Sequence, residues 1–152
     1  MRVICSDEAV EIRNRFVRSF LDLNSDYYRD QIEKADANRC HQGYYWDCMK
    51  DKQLISEADI HLALAPSNGK MYLLCDLHGE DRYFCGNRFE YPFGAVLELS
   101  YAEFKRIEGT LPEDFYIIDK EFKRCFSLTH EWIDDDRFCL ESRRAEIKRA
   151  KV

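Results

Sequence analysis

From Lys70 onward the apolar positions recur with the two-residue period of strands, whereas before Pro66 they recur at helical spacing. Between Asp7 and Leu23, Val10, Phe16, Val17, Phe20 and Leu21 line one helical face, with Ala9 and Ile12 beside it. Ser6 or Asp7 supplies the cap, and acids occupy the first turn, where the helix dipole favours them. "SDYYRDQIEKADAN" carries a narrower stripe of Tyr27, Tyr28, Ile32 and Ala35, which predicts a second helix started by Ser25 or Asp26. Ser56, with Asp59 three residues on, caps a third helix that runs to about Ala65 and stops at Pro66 and "SNG".

The second half predicts strands at "KMYLLCD", "DRYFCG", "AVLELS", "FYIID", "RCFSLTHEW" and "RFCLES". The first two would form a hairpin turned through His78 to Asp81. Ser100 and Glu103 make a capping box for a short helix, "YAEFKRIE", ended by Gly109. The expected class is α+β: N-terminal helices packed on a mostly antiparallel sheet of about five to six strands, with one inserted short helix. The chain reads as one domain, with a helical part at about 6–66, a sheet part at about 70–142 and a basic tail at 143–152.

Composition narrows the setting. At 152 residues, a domain hides roughly 70% of its unfolded surface, enough for a core. Hydrophobic residues at 45% and charged residues at 34% fit a folded, water-exposed protein. No apolar run approaches the ~18 residues of a membrane span. "MRVICSDEAVEIRNRF" lacks the apolar segment of a secretory signal, so the expected location is the cytoplasm and the expected state of the seven cysteines is reduced. The net charge of -6 disfavours a nucleic-acid partner. The tail "RRAEIKRAKV" runs the other way, with five bases against Glu146.

Chemistry concentrates in three segments. In "RCFSLTHEW", His130 and Glu131 are the candidate catalytic pair. Regular alternation, however, places Phe126, Leu128, His130 and Trp132 on one face and Cys125, Ser127, Thr129 and Glu131 on the other, so a direct dyad requires a bulge. His130 is expected at the core or on a pocket floor, bonded to backbone or to an acid such as Asp119. "CDLHGEDRYFC" crowds Cys75, Asp76, His78 and Cys85 into one turn, but its spacing fits no common zinc site. Neither a metal nor a cofactor is therefore expected. "RCHQGYYWDCMKD" offers Tyr44, Tyr45, Trp46 and Asp47 as an aromatic anchor of the kind interfaces use, or as cover for the sheet. Approach of Cys40, His41 and Cys48 to Cys75 and Cys85 would need distant segments to meet. No nucleophile elbow, phosphate loop, dinucleotide fingerprint or His-Glu-x-x-His occurs.

"LPEDFYIIDKEFKRCFSLTHE", with "WDCMKD" and "CDLHGEDRYF", resembles a pattern of small bacterial proteins in which an acidic strand and turn lead to a strand ending Thr-His-Glu. Some proteins of that style resemble immunity proteins, which neutralise a partner toxin. The resemblance implies a protein partner and supplies no catalytic residue, and Arg124 and Cys125 depart from it where an aromatic is expected.

The leading expectation is an intracellular protein-binding module, such as an immunity-type inhibitor of a basic toxin, leaning away from an enzyme. The binding candidates are Tyr44, Tyr45, Trp46, Asp47, Asp76, His78 and Asp119. The alternative is an enzyme, or a metal or small-ligand binder, with a pocket near His130, Glu131 and the Cys75 to Cys85 turn.

Overall fold

A computed structural model describes residues 1–33, 43–76 and 91–144. Its centre is a sheet of seven strands, β1 (Arg2–Ile4), β2 (Lys52–Ile55), β3 (Met71–Cys75), β4 (Val96–Leu99), β5 (Phe115–Asp119), β6 (Arg124–Ile133) and β7 (Asp136–Arg143). Their order is β1-β4-β3-β5-β6-β7-β2, and every neighbouring pair is antiparallel. Helix α1 (Ser6–Phe20) precedes the sheet's centre in sequence, α2 (Glu57–Leu64) follows β2, and α3 (Tyr101–Ile107) is inserted between β4 and β5. The class is therefore α+β, with more strands than the sequence predicts.

The two extra strands are the sheet's edges. β1 is three residues long and β2 has only Leu54 and Ile55 as apolar members, so neither carries a readable alternation. The expected strand "DRYFCG", its turn through His78 and Asp81, and most of the basic tail lie outside the described residues. So do Cys40, His41 and Cys85. Of the second expected helix, Tyr28–Glu33 is described and forms a wide turn of π-helix.

The helices divide between the two faces and do not pack as one layer. On one face, α1 buries Ile12, Phe16 and Phe20 against Leu74, Val96, Tyr116, Ile118, Cys125 and Leu140. On the other, Ile60 and Leu64 of α2 and Phe104 of α3 pack on Leu73, Leu97, Phe115, Ile117, Phe126 and Leu128. Alternation along β3 to β7 feeds both clusters, which is why "KMYLLCD" and "FYIID" read as apolar on both faces. Ser56 accepts from the Asp59 N–H at the start of α2, and Ser100 and Glu103 close the full capping box of α3. No helix among the described residues is long and apolar enough to cross a membrane.

The ladder between β6 and β7 is interrupted. Leu128 pairs with Cys139 and Trp132 with Arg137, so Thr129, His130 and Glu131 stand opposite the single residue Phe138. The Thr129 hydroxyl fills the gap, donating to the Phe138 carbonyl at 2.7 Å and accepting from the Glu131 N–H at 3.2 Å. Two extra residues in one strand form an enlarged, special bulge, which re-aims side chains locally and leaves the strand running on. Beyond it, the β6–β7 hairpin turns on Asp134 (φ 49°) and Asp135 (φ 68°), a left-handed pair that matches the twist of a tight hairpin.

Candidate functional site

The bulge moves His130 off the face that regular alternation assigns it. Phe126 and Leu128 pack with α2 and α3, whereas the His130 ring lies 4.9 Å from the Tyr44 ring and 6.2 Å from that of Trp46, on the α1 side. Its partner is Asp114, just before β5, and not Asp119. His130 Nδ1 is 3.0 Å from Asp114 Oδ2, and the His130 backbone N–H donates to Asp114 Oδ1 at 3.1 Å. Asp119 instead accepts the Lys123 and Arg124 N–H groups, both at 2.8 Å, and so closes the β5–β6 turn. Glu131 is exposed and takes no part in the His130 contact.

Asp114 is buried, and it also accepts the Trp46 indole N–H at 3.1 Å. The 3-10 turn Tyr45–Cys48 therefore lies over the ends of β3, β5 and β6 and is pinned from beneath. The Trp46 backbone N–H donates to the Tyr116 hydroxyl at 2.9 Å, that hydroxyl donates to Asp76 Oδ2 at 2.5 Å, and the Tyr45 N–H donates to Asp76 Oδ1 at 3.1 Å. Of the two readings of "GYYWD", cover for the sheet fits Tyr45 and Trp46, which are core residues and not an exposed anchor. Tyr44 is half-buried and stacks on Trp46 at 5.6 Å between ring centres, while Asp47 is exposed and accepts from the Tyr27 hydroxyl at 2.7 Å. Gly43 is needed here: a Cβ at that position would come within 2.7 Å of both the Gln31 side chain and the Tyr27 hydroxyl.

Desolvation holds the Asp76 carboxyl well above the ordinary carboxylate range, with the Asp114 charge adding to the shift and the hydrogen bonds from Tyr116 and Tyr45 opposing it. Burial likewise pushes the Tyr116 phenol well above its usual value. The positive charge nearby is Arg13, which sequence reading passed over as one more polar position on α1. Its guanidinium is buried and donates to the carbonyls of Cys75 at 2.9 Å, Gly94 at 3.0 Å and Ala95 at 3.4 Å, tying α1 to the ends of β3 and β4.

Thus the structure joins Asp76, Tyr45, Trp46, Asp114 and His130 in one hydrogen-bonded network. It leaves Glu131 and Asp119 outside that network, and His78 lies outside the described residues. Asp114 and Tyr116 were missed. Their signal was present in "PEDFYIID", where an acid two residues before a buried Tyr shares its face, but nothing in the sequence says that Trp46 closes over them.

At the margin of the network, His130 is half-exposed, with 35% of its side chain accessible, and its Nε2 has no hydrogen-bond partner among the described residues. Half-buried Phe138 lies 5.8 Å from Trp46 between ring centres. Ile133, paired with Asp136 two residues before Phe138, is 52% exposed, and Leu54, opposite Leu140 on the edge strand, is 69% exposed. Period-2 alternation along β7 puts these residues on the α1 face, at the end that α1 does not cover. Arg137, on the opposite face, braces the bulge from behind. Its Nε donates to the Thr129 carbonyl at 2.7 Å, Nη2 donates to the Glu113 carbonyl, and Nη1 is 3.4 Å from Glu57.

The chain matches no protein-family model, no curated protein and no solved structure.

Proposed function

We propose that the chain is a protein-binding module that holds a basic protein partner, in the manner of an immunity-type inhibitor. The carrying observation is the uncovered end of the α1 face, where Leu54, Ile133 and Phe138 share the face of the half-exposed His130 imidazole and of Tyr44 beside it. Apolar and aromatic groups set on rigid strands, with a polar centre, are what interface hot spots are made of. Asp134, Asp135, Asp136 and Asp47 border this surface, and the chain carries a net charge of -6, so a basic partner would be steered toward it. The network beneath supports the same reading, because its hydrogen bonds fix the surface in place and leave His130 rigid before a partner arrives.

The test is to capture a partner from the native lysate and titrate it against wild type and the Leu54→Asp and Ile133→Asp variants. The expected result is a stoichiometric complex with a basic polypeptide, weakened at least about ten-fold by either substitution and weakened further by added salt. A partner that binds the variants as tightly as wild type would remove this surface from consideration, and no stoichiometric partner would remove the function.

One observation favours a second reading. Asp114 holds Nδ1 of His130, which leaves Nε2 as a positioned proton acceptor of the kind general-base catalysis uses. A nucleophile is what this reading still needs: the nearby Cys48 thiol is buried, pushed up to about 12 by desolvation and bonded to the Tyr45 carbonyl. His130→Gln separates the two, since it keeps size and polarity; turnover of a small substrate abolished with partner binding intact would favour the catalytic reading.

A further inference from the structure

On the opposite face of the sheet, Glu57 and His61 are one turn apart on α2, and Glu108 lies in the 3-10 turn that follows α3. One donor atom from each lies within 4.8 Å of the other two. His61 Nε2 is 2.9 Å from Glu108 Oε1. The imidazole is not free to turn: Nδ1 is 3.2 Å from the Tyr101 hydroxyl, and the ring stacks on Phe104 at 5.8 Å with an interplanar angle of 21°. Helix α2 fixes the Glu57 to His61 spacing, and the capping box of α3 fixes the approach to Glu108.

We infer that Glu57, His61 and Glu108 form a divalent transition-metal site of the zinc type, closing α2 onto the end of α3. Three features carry this. The donor set mixes one imidazole nitrogen with two carboxylates, which suits a borderline cation such as Zn²⁺ and leaves a fourth position for water. The second hydrogen bond on the imidazole, to Tyr101, is the outer contact that orients a metal-ligating histidine and presents Nε2. Finally, two carboxylates this close repel each other, and each of the cations now beside them meets only one of the two. Lys105 reaches Glu108 at 2.5 Å from a side chain that is 47% exposed. Arg137 meets Glu57 only at 3.4 Å while its other nitrogens serve backbone carbonyls. A dication about 2 Å from each donor needs them roughly 3.3 Å apart, which rotation of the two glutamates supplies. The surroundings are half-buried: the His61 and Glu108 side chains are 21% and 19% accessible.

Glu108 lies far in sequence from the Glu57 and His61 pair, so no single spacing motif announces the set, and the three donors lie on the face opposite the His130 surface. Its test is a titration of zinc chloride into chelator-stripped full-length protein, in competition with a chromophoric chelator, for wild type and for Glu57→Gln, His61→Gln and Glu108→Gln. These variants keep shape, and melting curves without metal identify any that fails to fold, in which case the remaining ones decide. The expected result is a zinc site whose affinity falls at least about ten-fold in each folded variant, together with a zinc-dependent rise in melting temperature that those variants lose. Failure of wild type to take up zinc would overturn the inference. Uptake that the folded variants share with wild type would also overturn it, by placing the ion on cysteines or histidines elsewhere.

Discussion

Asp114 illustrates how much one side chain can organise. It accepts the Trp46 indole, the His130 N–H and the His130 ring, so Asp114→Ala strands three polar groups and should lower stability by about 3 kcal/mol in urea unfolding. His130→Ala removes a half-exposed ring and should cost under about 1 kcal/mol; an equal loss in both would show that the imidazole is a core element. Asp76 gives a prediction in pH. Because burial raises its folded pKa above the unfolded value, the folded protein retains a proton that the unfolded chain releases above about pH 4. Stability is therefore fully present below that value and declines as pH rises toward the raised one. Asp76→Asn should flatten this decline, seen as urea midpoints that differ less between about pH 4.5 and pH 7 than those of wild type.

At the scale of elements, the sequence was most legible where one residue pattern decides one element. The Ser56 cap of α2, the capping box of α3 and the runs "KMYLLCD", "FYIID" and "RFCLES" are each local statements, and each is found in place; the stripe of α1 holds for Phe16 and Phe20, whereas Val10 is exposed and Cys5, not Ser6 or Asp7, stands at the N-cap. Edge strands β1 and β2 were illegible because a strand paired on one side needs little apolar alternation. The bulge was illegible for a different reason: it is defined by comparing the lengths of β6 and β7, and "LTHEW" alone does not contain that comparison. Its consequence was a wrong face for His130 and a wrong partner, Asp119. The electrostatic network was hidden likewise, since Trp46, Asp76, Asp114 and His130 meet only through the topology. The hairpin turn is testable too: Asp134→Asn with Asp135→Gly relieves a positive φ, so it should stabilise the hairpin by up to about 1 kcal/mol, read as slower amide exchange at Ile133 and Asp136, the pair that closes the turn.

For the whole molecule, the sheet divides the chain into two apolar layers, and most described thiols sit within them. Cys48 and Cys139 are pushed up to about 12 by burial, and the same cause holds Cys125 well above its usual value, while Cys5 is exposed. In a variant with Cys40 and Cys85 replaced by Ser, an aromatic disulfide reagent at about pH 7.5 should modify Cys5 promptly. Cys48, Cys125 and Cys139 should follow at least about 100-fold more slowly, at the rate of opening; rapid modification of several thiols would contradict the packing.

Arg137 gives the two faces a means of communication. The same guanidinium holds the Thr129 carbonyl behind His130 and touches Glu57 on the α2 face of the sheet. Whatever draws Glu57 away changes the restraint on the bulge, and linkage requires the reverse effect to be equal in free energy. A partner seated on His130 should therefore shift the affinity of the Glu57 cluster for a cation by the same factor that the cation shifts the partner's, and Arg137→Lys should bring both factors toward one together while leaving each binding event intact.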